Sequence, residues 1–473
     1  MHGPVTLSKK TVFGAGWLIA SRMGGRIIDF VTVLVLARML VPADFGLTAL
    51  AASLVTTLDS VFEIPLIQAL TRLRSLKKSH LDTAFTLGVL RALLFSLVIL
   101  AAAYPFSVVF HDSRLTALVV VLALGPIVRS IYNPSMVKFI RLMSFRQAFM
   151  AELLGKILAF CVAVGLVFYG GGYWAIAASS ITASLVTTLL SYVFAPFRPS
   201  FSLSKRADFL SFMGWYSLSQ VISVISWQFD KVLLGYFITK SDLGKYSMAN
   251  DLSVLPTQSL IGPAMQPVMA ALARIKHDPD RLRSAYLKAS RFTMMLAASS
   301  SIGISLTADL IVDLLLGHQW KDAAVYLRWL ALGTTLYAYY PPIYSLSLAM
   351  NRNNTIFILS LIEMIMKIIF VTLGLYYFSV IGAIAGRGVV SVIMYFAYLL
   401  AVREMVQIGF IQQAANLWRV AASCCVMALL VIFLRNQLND MEINQILELC
   451  VISSFGAGVY FGALYVFGFR FQT

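Results

Sequence analysis

Ten of the 37 Lys and Arg residues in this 473-residue chain fall inside long apolar runs: Arg22, Arg26, Arg38, Arg91, Arg129, Lys156, Lys231, Arg328, Lys367 and Arg387. Seven acids join them, Asp29, Asp59, Glu63, Glu152, Asp230, Asp251 and Glu363. If the runs cross a bilayer, a charge at its centre costs roughly 2.5–3.5 kcal/mol on insertion scales, so these groups must pair or line a wet cavity rather than face lipid. Arg26 and Asp29 are three residues apart. Glu152 and Lys156, and Glu363 and Lys367, are four apart. Such spacings place both charges on one helix face, and for these pairs simple neutralisation and function weigh equally. Arg38, Lys231 and Arg328 lie near the ends of their runs and are expected to snorkel to the surface.

Arg22 and Arg26 are one helical turn apart, and only Asp29 on that run can offset them. Arg91 and Arg129 have no acid at helical spacing. With Lys367 and Arg387 these residues form a ladder of cations through the membrane. Guanidinium groups bind phosphate oxygens bidentately, so a cavity lined this way suits an anionic, phosphate-bearing substrate. A carrier of organic cations would need the opposite sign. Asp29, Asp59, Glu63, Asp230, Asp251 and Glu363 fit two roles equally well, as charge partners or as carriers of a coupling proton or sodium ion. No catalytic residue, metal site or cofactor is expected beyond such a gradient. No Walker A loop, G-x-G-x-x-G, H-E-x-x-H or G-x-S-x-G occurs. The five histidines lie in loops or at the N-terminus, and the four cysteines lie in apolar runs without a C-x-x-C.

The elements that must hold these charges follow from composition. Apolar residues make up 59% and charged residues 12%, with a mean hydropathy of +0.83. An average soluble domain carries about 25% charged residues. These values exclude disorder, a coiled coil and an ordinary soluble enzyme. They predict an all-α integral membrane protein of about fourteen transmembrane helices of ~20 residues each. The spans are 11–40, 44–71, 82–104, 115–137, 147–169, 173–194, 209–238, 243–272, 285–307, 323–349, 354–378, 381–402, 416–434 and 446–468. With the N-terminus inside, inner loops and inner span ends hold 22 Lys and Arg, and outer loops and outer span ends hold five, Arg114, Lys240, Lys245, Lys321 and Arg435. That asymmetry predicts cytoplasmic N- and C-termini. Much of the net charge of +16 is therefore a topology signal and not a nucleic-acid patch. No outer loop has room for a folded domain.

An internal repeat organises the spans. PADFGLTALA (42–51) echoes KSDLGKYSMA (240–249), matching Asp44, Gly46 and Ala51 to Asp242, Gly244 and Ala249. Glu152 and Lys156 likewise echo Glu363 and Lys367. The period is six helices, an even number, so the halves share an orientation, as in transporters whose substrate site lies between parallel repeats. The expected architecture is two parallel-related six-helix bundles, 1–200 and 201–407, around a central cavity, plus two extra C-terminal helices in 408–473.

Three stretches carry a family resemblance: FDKVLLGYFITKSDLGKYSMA (229–249), LLLGHQWKDAAVYLRWLA (314–331) and YGGGYWAIAAS (169–179). In their order, and over nearly the whole chain, the sequence resembles the Wzx-type flippases, the polysaccharide exporters of the multidrug/oligosaccharidyl-lipid/polysaccharide superfamily. The resemblance implies two six-helix bundles forming a V around a cavity, and alternating access coupled to an ion gradient. It implies a polyprenyl-diphosphate-linked oligosaccharide as substrate, membrane lipid and the polysaccharide polymerase and export machinery as partners, and the bacterial inner membrane as location. It transfers no residue-level site, so the site residues rest on charge placement. A lipid-linked peptidoglycan precursor flippase is the nearest alternative. A multidrug exporter, expected to have twelve spans and an acidic cavity, fits less well. So does a membrane polysaccharide polymerase, which needs a sizeable outer loop.

Overall fold

A computed structural model describes residues 24–73, 75–142, 144–210, 215–438 and 444–468. The described residues form helices and connecting turns, with no strand among them. The chain divides into two compact units, Met1–Val224 and Ile225–Thr473.

The first unit holds α1 (24–39), α2 (Pro42–Val61), α3 (Leu66–Arg72), α4 (Lys78–Val109), α5 (Arg114–Ser130), α6 (Val137–Arg141), α7 (Arg146–Phe168), α8 (Trp174–Phe194) and α9 (Arg206–Leu210). In lipid there is no hydrophobic drive between helices, so association relies on close backbone approach through small residues. Helix α7 shows this. Its buried residues, Ala151, Gly155, Ala159 and Ala163, recur every fourth position. A Cβ at Gly155 would stand 2.6 Å from Thr187 Oγ1 and 3.0 Å from Ala183 O of α8, so that position has room only for hydrogen. The α7–α8 turn is Gly170–Gly172, in which Gly170 and Gly172 have φ of 77° and 50°, a region that glycine enters without steric penalty.

The expected second span, 44–71, is matched by a stretch Pro42–Thr71 long and apolar enough to cross a membrane, but its helix is interrupted: α2 ends at Val61 and α3 starts at Leu66, with Glu63 in the interruption. Pro65 explains this, since a proline disfavours helical geometry in the residue before it. The α5 rod likewise bends by 54° into the segment Pro134–Arg141. The bend is pinned by Asn133, fully buried, which donates to Ser191 O at 3.0 Å and to Ala195 O.

The second unit takes in most of α10 (Trp215–Phe237), then α11 (Lys240–Pro256), α12 (Gly262–Arg274), α13 (Pro279–Leu306), α14 (Ala308–Leu315), α15 (Ala323–Tyr337), α16 (Tyr340–Ala349), α17 (Asn353–Val406), α18 (Phe410–Leu438) and α19 (Gln445–Val466). One π turn, Thr257–Ile261, joins α11 to α12. Two turn residues, Ala338 and Tyr339, separate α15, ending at Tyr337, from α16, starting at Tyr340 beside Pro341 and Pro342. Helix α17 is two helices meeting at Phe378 and Ser379, where the backbone leaves helical geometry, between the spans expected at 354–378 and 381–402. Added Cβ atoms at Gly374, Gly382 or Gly386 would overlap backbone of the facing arm. Helices α18 and α19 dock on α13: Arg291 donates to Asn416 Oδ1 at 2.6 and 2.9 Å, and Tyr460 to Met295 O at 2.9 Å.

By length and composition, seven of the described helices can cross a membrane, or up to nine if each of two bent pairs is one span. This count of the described helices does not test fourteen directly. The 54-residue α17 counts once. Part of 11–40 and of 209–238 lies outside the described residues. The stretches 243–272 and 323–349 are interrupted, and α11 carries Lys240, Asp242, Lys245, Asn250 and Asp251. The matched residues of the repeat occupy like places: Asp44 and Asp242 lie in first turns, Gly46 and Gly244 are buried, and Ala51 and Ala249 are fully buried.

Candidate functional site

In the first unit a cavity of about 510 Å³ is bounded by the α2–α3 break and by α3, α4, α5, α7 and α8. Its charged lining is Glu63, Arg91, Arg129, Glu152 and Lys156. Asp59, at the end of α2, gathers two of these cations. Arg91 is ion-paired with Asp59 Oδ1 and also donates to Asp59 O at 3.2 Å. Arg129 reaches Asp59 Oδ2 at 3.4 Å. The two arginines are not equivalent. The Arg91 side chain is 14% exposed and that of Arg129 is 58% exposed. A guanidinium carries five N–H donors, and among the described residues Arg129 commits one of them, at long range. Arg91 is a held group; Arg129 has donors left for a ligand.

Lys156 sits between two carboxylates, donating to Asp29 Oδ2 of α1 at 2.8 Å and pairing with Glu152 Oε1 at 3.1 Å. Gly25 permits this, since a Cβ there would stand 2.9 Å from Lys156 Nζ. Arg26 is half-buried on α1, and Arg22 lies outside the described residues. Glu63 is exposed and has no ion pair among the described residues. The unit thus offers cations interleaved with acids, not a bare ladder.

The second unit treats its cations differently. Arg387 is held by Asp230 Oδ2 at 3.3 Å, Tyr246 Oη at 3.1 Å and Asn250 Oδ1 at 2.6 Å, with Trp227 6.0 Å from its guanidinium carbon. Lys367 donates to Ser226 O at 3.0 Å and pairs with Glu363 at 3.0 Å. Both line a small space of about 40 Å³, enough for a few waters. Asp251 pairs with Lys231 at 3.6 Å. Lys231 therefore turns to an acid on α11 instead of snorkelling. Arg328 is 3.8 Å from Asp309, and Arg38 is exposed.

Of the six cations chosen from sequence, the structure brings together Arg91 and Arg129 in one unit, and Lys367 and Arg387 in the other. Sequence spacing missed what holds them. Asp59 meets Arg91 and Arg129 from other helices, which periodicity along one helix does not reveal. Tyr246 and Asn250 lie beside Asp251 in a stretch rich in polar residues, and that density was the available signal.

Bent and broken apolar helices around buried ion pairs define a multi-pass helical membrane protein. The same fold occurs in a structure of the lipid II flippase MurJ in an inward closed conformation, with a TM-score of 0.72 at 17% identity, covering 96% of this chain and 98% of that one. It recurs in an inward-facing multidrug resistance transporter of the MATE family, with a TM-score of 0.57 at 16% identity, covering 83% of this chain and 96% of that one. The sequence model for a family described as polysaccharide biosynthesis protein matches residues 35–325, more than half the chain. The chain belongs to that family. Among its relatives is the succinoglycan biosynthesis transport protein ExoT of Rhizobium meliloti, 25% identical over 96% of this chain and 93% of that protein. Another is the lipopolysaccharide biosynthesis protein WzxC of Escherichia coli, 21% identical over 88% of this chain and 85% of that protein.

Proposed function

We propose that this protein is a flippase for a polyprenyl-diphosphate-linked oligosaccharide repeat unit, moving it across the bacterial inner membrane for surface or extracellular polysaccharide synthesis. Family membership supports the pathway class. The observation that carries the site is Arg129, a half-exposed guanidinium in the first-unit cavity that touches Asp59 at 3.4 Å. A diphosphate can displace that weak contact and take two parallel N–H bonds in its place. Asp59 keeps its pairing with Arg91, so no carboxylate is stranded when the ligand arrives. Lys367 and Arg387, already bonded, hold the second unit together. The sugar lies with the diphosphate in polar surroundings while the polyprenyl tail stays in membrane lipid.

Both termini are assigned to the cytoplasm on the loop-charge asymmetry. The transport cycle is alternating access driven by a proton or sodium gradient. Glu63 is the cavity acid without a cation partner among the described residues, and it is the one best placed to exchange a proton. The polymerase and export machinery take up the product on the far side.

The test is a deletion strain complemented with variants. Lipid-linked repeat units should accumulate in the deletion and clear with the wild-type chain. Arg129→Ala should leave them accumulated at normal protein level, and Arg129→Lys should restore flux in part, since lysine supplies charge without the fork. Full clearance by Arg129→Ala refutes the site. The MurJ likeness also favours a lipid-linked peptidoglycan precursor as substrate. Rescue of cells depleted of their own lipid II flippase would make that the function.

A further inference from the structure

A second large cavity lies elsewhere in the second unit. About 850 Å³ in volume, it runs between α13, α15 and α18. One face of α18 forms its floor: Ala421, Cys425, Ala428 and Ile432 recur at helical spacing and end at Arg435. Trp329, Leu332 and Ile432 on its walls are exposed, so the groove is continuous with the apolar outer surface of the helices. A purely apolar groove would show nothing about its occupant. This one ends in charge.

Arg328 and Arg435 both line that end, and they share a single carboxylate. Arg435 is ion-paired with Asp309 Oδ2 and donates to Leu306 O at 2.7 Å. Arg328 stands 3.8 Å from Asp309 Oδ1, beyond hydrogen-bond reach, and that oxygen has no hydrogen-bond partner among the described residues. The Arg328 side chain is 46% exposed. Among the described residues, two guanidinium groups against one carboxylate leave one positive charge in excess, with the Arg328 donors unspent, at the end of an apolar slot.

We propose that this groove binds an anionic phospholipid of the bilayer, with its phosphate on Arg328 and Arg435 and an acyl chain along α18. Charge complementarity selects the phosphate, because arginine pairs with phosphate oxygens through parallel N–H donors. The apolar lining selects the chain, and a groove of about 850 Å³ has room for at least one acyl chain. The site is distinct from the first-unit cavity and stands independently of which substrate that cavity takes. It ties the lipid to α18, one of the two helices outside the internal repeat, and to α13, on which α18 docks.

The experiment is native mass spectrometry of the full-length protein titrated with phosphatidylglycerol, and with diacylglycerol of the same chains. Wild type should hold phosphatidylglycerol at least tenfold more tightly than diacylglycerol. Arg328→Gln should remove most of that preference, and it breaks no hydrogen bond among the described residues. Ala428→Phe, which fills the slot far from the arginines, should weaken both lipids with an unchanged melting temperature. Equal binding of the two lipids to wild type overturns the proposal, as does phosphatidylglycerol binding unaffected by both variants. Displacement of phosphatidylglycerol by an equal concentration of polyprenyl phosphate overturns it too, by assigning the groove to a substrate tail.

Discussion

Removing Asp230 isolates the cost of a stranded charge inside the second unit. Asp230 is 2% exposed, and the Arg387 side chain it meets at 3.3 Å is 16% exposed. Asp230→Ala leaves the guanidinium with Tyr246 Oη and Asn250 Oδ1, two neutral acceptors. Breaking a buried pair by deleting one partner costs about 3–5 kcal/mol, because an uncompensated charge remains. For a unit of roughly 250 residues, 1 kcal/mol moves the melting temperature by about 2–4 °C, so the expected fall is roughly 6–20 °C. Replacing both partners by apolar groups of similar size is often neutral or stabilising. Asp230→Ala with Arg387→Met should therefore recover most of the loss, and the two single effects should fail to add by more than ~1 kcal/mol. Thermal unfolding followed by intrinsic fluorescence, in detergent and again in lipid nanodiscs, measures all four proteins. A single variant within about 2 °C of wild type, or a double variant as poor as the sum of the singles, refutes the argument that the pair is there to cancel charge.

Three further outcomes are expected. Gly155→Leu should destabilise the first unit by about 1–3 kcal/mol, the usual penalty of overpacking, because its side chain must enter space held by Thr187 and Ala183 O; unchanged thermal unfolding would show that α7 and α8 can separate freely. Ser379→Gly should raise stability by about 1 kcal/mol, since Ser379 has φ 54° and ψ −142°, a region costly for any residue with a Cβ; a lower melting temperature would show that the serine side chain does more than turn the chain. Asn133→Ala should cost about 1–3 kcal/mol through the buried polar groups it leaves unpaired, read as a loss of melting temperature that Asn133→Asp does not restore, because a carboxylate cannot donate to Ser191 O and Ala195 O.

Features local to one segment are legible in the amino-acid sequence. Gly170–Gly172 reads as a tight turn because three glycines between apolar runs permit nothing longer. The end of one span at 378 and the start of the next at 381 bracket the observed break at Phe378 and Ser379. The pairs Glu152–Lys156 and Glu363–Lys367 follow from spacing alone and are ion pairs in the structure. What periodicity along one helix does not encode is which helices face each other. Arg91 and Arg129 therefore look unopposed in sequence, although Asp59 lies 32 and 70 residues away along the chain and within reach in space. The interruption between Val61 and Leu66 is legible in Pro65, within a run that hydropathy reads as one span.

The two i, i+4 pairs show why a repeat in sequence does not carry a repeat in role. Lys156 and Lys367 occupy matching places in the echo between the halves. The Lys156 side chain is 19% exposed, and its carboxylate partners Asp29 and Glu152 are 58% and 49% exposed on or beside an open cavity. The Lys367 side chain is 4% exposed and its partner Glu363 17%. Screening by water weakens the first set, whereas burial makes the second costly to break. Neutralising Lys156 should then act on transport more than on stability, and neutralising Lys367 the reverse. Measuring lipid-linked intermediates and melting temperature on Lys156→Met and Lys367→Met separates the two. If both variants lose stability equally and transport equally, exposure has not divided the labour between the halves, and the assignment of the open first-unit cavity to substrate fails with it.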